Sequence, residues 1–233
     1  MLGLGSNISK SPTSGATIVT DNLVLRHGYA LNPVHQVSDG AALFFNVDHV
    51  DIDAFTMDTD GNCSFVFWAK RTDVSSEDAV IGHTSTAGYQ NLRFNSNTTM
   101  ALESASSDEA TITLNSPNDF NWHHYAIICT SGAVTAYQDG VSCSVSNPDM
   151  GSDTIFNLIG AASTDGDSKN FQGYLCNVGL WSNALTQTQI KSIMWKNFGA
   201  LTDTEKNLGL MSWWNFSENA EDPQGGNNGT LAD

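Results

Sequence analysis

Hydrophobic and polar residues alternate along much of this chain, and the alternation predicts strands far more often than helices. Val141, Cys143 and Val145 alternate with Ser142, Ser144 and Ser146, the period-2 pattern of a strand with one buried and one wet face. The preceding run Val134 to Gln138 ends at Asp139-Gly140, a pair that suits a type I′ hairpin because both residues tolerate positive φ. Further strands are predicted at Leu23 to His27, Ala41 to Phe45, Trp122 to Cys129 and Tyr174 to Trp181. The last of these places Tyr174, Cys176, Val178 and Leu180 on one face.

Helical periodicity is clear only near the C-terminus. Thr186 and Gln189 form a capping box, Ile190, Ile193 and Met194 form one apolar stripe, and Gly199 reads as the stop. A second capping box, Thr202 to Glu205, predicts a short helix before Leu210 to Phe216 returns as a strand.

A chain of 233 residues can bury one sizeable core, and all-β sandwiches of this length are commonly single domains. Residues 1–22 read as a polar, Gly/Ser-rich N-terminal arm. Its Met1, Leu2, Leu4 and Ile8 are candidates for assembly contacts that would order it, and residues 23–233 read as the sandwich. The net charge of -16, with nine Lys and Arg in all, argues against nucleic-acid binding, which needs clustered cations for phosphate. No apolar run approaches the ~18 residues of a membrane span, and the N-terminus has no Sec-type pattern, so a soluble protein is expected. Cys63, Cys129, Cys143 and Cys176 are scattered and lack metal-site spacing, and they are expected to be free thiols.

Five motifs follow in order: Phe65-Val66-Phe67-Trp68, Trp122-His123-His124-Tyr125-Ala126, Tyr137-Gln138-Asp139-Gly140, Phe171-Gln172-Gly173-Tyr174 and Trp181-Ser182-Asn183-Ala184-Leu185-Thr186. Together they resemble laminin-G-like, concanavalin A-like jelly rolls over roughly residues 40–195. The resemblance implies an all-β, two-sheet antiparallel sandwich with one or two short helices near the C-terminus. In that frame His124 is a strand residue near the core rather than a catalyst, and Trp68, Trp122, Trp181 and Trp214 are structural. A fold of this kind does not by itself fix a function.

Glycoside hydrolysis needs two carboxyl groups about 5 to 10 Å apart across a sugar bond. The E-x-D-x-x-E motif of glucanases that the resemblance brings to mind is absent, and the adjacent pairs Glu77-Asp78 and Asp108-Glu109 would point to opposite faces of a strand. The chain is therefore expected not to be an enzyme. Tyr89, Asn91 and Arg93 alternate on a predicted strand and are the candidates for glycan contact, an aromatic face beside polar groups. Calcium is the one cofactor to consider. Asp48, Asp51 and Asp53 stand where relatives often carry an acidic motif, and Asp165 and Asp167 flank a glycine in a loop. Cys176-Asn177 departs from the acidic pair of many members.

The N-terminal Met1-Leu2-Gly3-Leu4-Gly5, the Ile190 to Asn197 helix and the ending Gly226 to Leu231 look like laminin-G-like structural proteins of marine bacteriophages. That resemblance implies a virion surface protein, either head decoration or tail appendage, assembled in a bacterial host cytoplasm. Its partners would be other virion proteins, copies of itself and host-surface glycans. The competing expectation is a calcium-dependent carbohydrate-binding lectin or adhesin module.

Overall fold

Asp139 and Gly140 adopt φ of 51° and 73°, and Val141 pairs with Gln138, so the two-residue hairpin forms as its residues require. The computed structural model describes residues 40–74, 77–83, 90–105, 109–162 and 169–232. The predicted strand at Leu23 to His27 and the N-terminal arm with Met1, Leu2, Leu4 and Ile8 lie outside the described residues.

In chain order the strands are β1 (Ala42–Phe44), β2 (His49–Met57), β3 (Cys63–Arg71), β4 (Asp78–Gly82), β5 (Asn91–Phe94), β6 (Thr99–Glu103), β7 (Glu109–Thr113) and β8 (His123–Thr130). They continue with β9 (Ala133–Gln138), β10 (Val141–Ser142), β11 (Ser144–Ser146), β12 (Thr154–Ile159), β13 (Gly173–Trp181), β14 (Leu210–Trp214) and β15 (Thr230–Ala232). The two α-helices are α1 (Gln187–Ile193) and α2 (Asp203–Lys206). One sheet runs β1-β13-β3-β8-β9-β10, with β14 also paired to β13; the other runs β11-β7-β6-β5-β4-β12-β2-β15. Every pairing between named strands is antiparallel, so the molecule is an all-β two-sheet sandwich with two short C-terminal helices.

The core lies between the sheets. Phe65, Phe67, Tyr125, Ile127, Leu175 and Leu180 from the first sheet meet Ile81, Leu92, Phe94, Met100, Leu102 and Phe156 from the second. Each such buried side chain contributes about 1.5 to 3 kcal/mol relative to exposure. Gly160 turns at φ 87° against the Phe44 ring, which a Cβ would meet at 2.3 Å. A second, smaller core forms on the outer face of the first sheet. There Ile190 and Ile193 of α1 and Leu201 pack on Val66, Ala126, Ile128 and Trp181. Both capping boxes form, at Thr186/Gln189 and Thr202/Glu205. No helix among the described residues is long and apolar enough to cross a membrane.

Three local expectations are corrected. The alternating run Val141 to Ser146 is not one strand: β10 pairs with β9, whereas β11 pairs with β7 in the other sheet. The chain turns a corner between sheets at Cys143, and Val141 is left exposed. In β13 a register shift lies between Cys176 and Gly179, with Asn177 at φ 49°. The extra residue flips the pattern. Tyr174 therefore shares a face with Lys70, while Leu175, Val178 and Leu180 enter the core. Finally, α1 stops at Ile193 with Met194 as its C-cap, and Gly199 falls inside a separate turn of 3₁₀ helix. The four cysteines are free, as expected.

Candidate functional site

Two of the predicted glycan-contact residues share a face of β5, but they are occupied by protein. Asn91 is fully buried and Arg93 is 5 % exposed. The Arg93 guanidinium donates to Asn91 Oδ1 at 2.8 Å, Glu103 at 2.7 Å and Glu109 at 2.6 Å, and its Nε lies 3.6 Å from Glu77. Lys169 closes the network on Glu77 at 2.8 Å. Cross-strand register produces it, since Asn91 faces Glu103 and Glu103 faces Glu109 across β5, β6 and β7. The arrangement ties three strands together instead of presenting donors to a ligand. Tyr89 lies outside the described residues.

Among the described residues, the predicted calcium candidates Asp48 and Asp51 do not gather into one acidic group. Asp48 accepts a hydrogen bond from the Phe45 amide at 2.9 Å, closing a turn, and Asp51 points to solvent 3.7 Å from His49. Asp165 and Asp167 lie outside the described residues. Among the described residues the acidic group drawn to metal-binding distance is another one: Asp58, Asp60 and Asp153, whose carboxylate oxygens lie within 4.8 Å of one another. Partial burial and repulsion from Asp60 and Asp58 raise the Asp153 pKa. Asp58-Thr59-Asp60-Gly61 is a sequence signal that could have flagged this turn, but Asp153 comes from a distant loop that Thr59 joins by donating to Ser152 O at 2.7 Å.

A different surface was missed. On the outer face of the first sheet, beyond the part that α1 covers, β1, β13 and β3 place Leu43, Tyr174 and Lys70 side by side. One step past the last pair of β3 with β8, Trp122 continues the row. Trp122 is 39 % exposed, and its ring centroid lies 6.2 Å from that of Tyr174 at a tilt of 52°. The turn before it presents a second ring, Phe120, which is 49 % exposed and held at φ 62°. A left-handed backbone at a bulky residue costs about 1 to 3 kcal/mol and persists only where surrounding contacts impose it.

Those contacts are polar. Asp119 accepts from the Asn121 backbone and side chain, both at 2.9 Å. His123 bridges Asp119 at 3.1 Å and Asp139 at 2.6 Å, while Asp139 also accepts from the His124 amide at 2.9 Å. The bonds from Asn121 and His123 lower the Asp119 pKa to about 2. Burial opposes charge on His123, yet the hydrogen bonds to Asp139 and Asp119 outweigh it and raise its pKa. His124, by contrast, is buried beside Trp68, and burial lowers its pKa to about 3, which fits a neutral core residue. Trp68, Trp181 and Trp214 are buried as expected; Trp122 is the exception, because it precedes β8 instead of lying within it.

Residues 45–191 match the model of the concanavalin A-like lectin/glucanases superfamily, and the chain belongs to that family. A solved structure from Bacteroides ovatus, of a protein considered to bind carbohydrate, superposes with a TM-score of 0.62 at 19 % identity. The match covers 83 % of this chain and 58 % of that one, so this chain spans little more than half of that protein. A heptameric SAP-like pentraxin from Limulus polyphemus matches with a TM-score of 0.49 at 15 % identity, over 67 % of this chain and 80 % of its own. At these identities the likeness shows the fold. No curated protein sequence matches this chain.

Proposed function

We propose that this chain is a carbohydrate-binding module that holds glycans without cleaving them. The observation that carries the reading is the aromatic surface of exposed Phe120 and Trp122, on a strained turn that Asp119, His123 and Asp139 hold in place, beside the half-buried ring of Tyr174 on β13. Flat aromatic faces beside oriented polar groups suit the apolar face of a sugar ring. Family membership and the carbohydrate-binding description of the Bacteroides ovatus protein support the same reading. Glu103 and Glu109 do sit across neighbouring strands, but both are engaged by Arg93, and neither is free to address a glycosidic oxygen.

Retention at this surface is expected without calcium, since the acidic group of Asp58, Asp60 and Asp153 lies apart from it. Asp58 and Asp60 precede Cys63 at one end of β3, and Lys70 lies near the other end, about 23 Å away along the strand. The virion setting, with particle proteins and copies of this chain as partners, rests on the resemblance of both termini to marine bacteriophage proteins. A host-glycan adhesin would serve it.

The test is a glycan-array screen of wild type and Trp122→Ala, with calcium and with chelator. Retention by wild type under both conditions, lost in the variant, is the expected result. Equal retention by the variant, or no retained glycan at all, would overturn the proposal, and sugar release from a retained polysaccharide would replace binding with hydrolysis.

A further inference from the structure

The aromatic surface also carries a cation, Lys70, that no carboxylate among the described residues pairs. Among the described residues, Arg71 is held by Asp78, Arg93 by Glu77, Glu103 and Glu109, Lys169 by Glu77 and Lys196 by Glu205. Lys206 lies over the Phe198 ring. Lys70 has no carboxylate within ion-pair distance among these residues, although the chain carries 25 Asp and Glu against nine Lys and Arg. Lys191 likewise lacks one, but its stem packs along the Gly140 turn under α1.

Lys70 is placed by register. It pairs with Tyr174 on one side, and the row continues to Trp122 on the other, so the two rings that meet at 6.2 Å flank its strand position. Asp119 and Asp139, in the turns that flank β8, are bound to His123, and Asp119 also to Asn121. An acidic protein repels anions at long range, but that field is screened within about 8 Å at physiological salt, whereas a contact ammonium acts at hydrogen-bond distance.

We propose that this surface selects anionic glycans. A uronate carboxylate or a sulfate ester pairs with the Lys70 ammonium while Trp122 and Tyr174 take the apolar face of the same or the adjoining sugar. The inference rests on the carbohydrate-binding reading above and adds the ligand class to it. A single half-exposed ion pair of this kind is worth roughly a fivefold change in affinity.

The experiment is titration calorimetry of the full chain with oligogalacturonate and its methyl ester, and with a sulfated galactan oligosaccharide and its desulfated form, at low and high salt. The variants are Lys70→Gln, Lys70→Arg and Trp122→Ala, each checked for an unchanged unfolding midpoint. The expected result is tighter binding of an acidic form than of its neutral partner. Lys70→Gln then loses roughly fivefold for the acidic form alone, Lys70→Arg retains it, and the preference shrinks at high salt. The pair of probes in which the preference is found tells carboxylate from sulfate. Equal affinity for acidic and neutral forms, unchanged in Lys70→Gln but lost in Trp122→Ala, would overturn the anionic preference and leave the carbohydrate-binding reading standing. If wild type binds none of the four probes, the anionic inference is overturned, and the glycan array alone then decides the broader reading.

Discussion

Arg71 donates through Nε to the Asp78 carboxylate at 2.7 Å, and both side chains are shut off from water. Arg71 also donates to Ser96 O at 2.7 Å and lies 4.7 Å over the Phe94 ring, so the pair pins the ends of β3 and β4 to the core. Burial raises the Asp78 pKa from 3.8 to about 6, outweighing the opposing charge and hydrogen bond of Arg71. The folded protein thus binds this proton more tightly than the unfolded chain does. Stability from Asp78 is full below about pH 4 and is lost as pH rises through about 6, a change on the order of 2 to 3 kcal/mol. Denaturant unfolding across pH 4 to 7 is expected to show this decline. Asp78→Asn, a neutral mimic of the protonated acid, should flatten it and keep near pH 7 the stability it has at pH 4. The raised pKa of His123 acts in the same direction, so His123→Gln is the control, and an unchanged slope in Asp78→Asn would reject the assignment.

The Arg93 network should behave as a structural tie. Removing the guanidinium in Arg93→Met leaves Glu103, which is mostly buried, without its partner, and a loss of about 3 to 5 kcal/mol is expected in chemical denaturation. Glu109→Gln, at a carboxylate more than one-third exposed, should cost under about 1 kcal/mol. Similar costs for the two variants would show that the guanidinium is not the hub.

These two pairs also mark the limits of what the sequence discloses. Signals confined to a few neighbouring residues were legible: the Asp139-Gly140 hairpin and both capping boxes form as their residues require. The shared face of Asn91 and Arg93 followed from alternation, but the strands that would deliver Glu103 and Glu109 to that face are a matter of pairing, which one sequence does not reveal. One inserted residue at Asn177 moved Tyr174 away from Val178 and Leu180, because period-2 reasoning assumes an unbroken ladder. Trp122 stood in a motif of core residues, and its exposure depends on where β8 begins. The structure brings Asp58 and Asp60 to Asp153 by loop closure, which no spacing rule anticipates.

Asp58, Asp60 and Asp153 repel one another at the surface, so Asp153→Asn is expected to raise the unfolding midpoint slightly in chelator, by well under about 1 kcal/mol of stability. Calcium that stabilises wild type more than Asp153→Asn would assign the group to a cation. Equal midpoints for both proteins, with and without calcium, would mean that solvent screens the three charges fully.

Phe120 offers a separation of stability from binding. Its φ of 62° is costly for an aromatic residue and readily adopted by asparagine, whose short polar side chain tolerates the left-handed region. Phe120→Asn should therefore leave the unfolding free energy unchanged or raise it by up to about 1 kcal/mol. If the ring is there to meet a sugar, the same variant should weaken glycan retention severalfold, with the fold intact by circular dichroism. A variant that loses stability instead would show that the ring holds the turn, leaving ligand contact to Trp122 and Tyr174. Retained binding with higher stability would mean that the strain at Phe120 serves neither purpose.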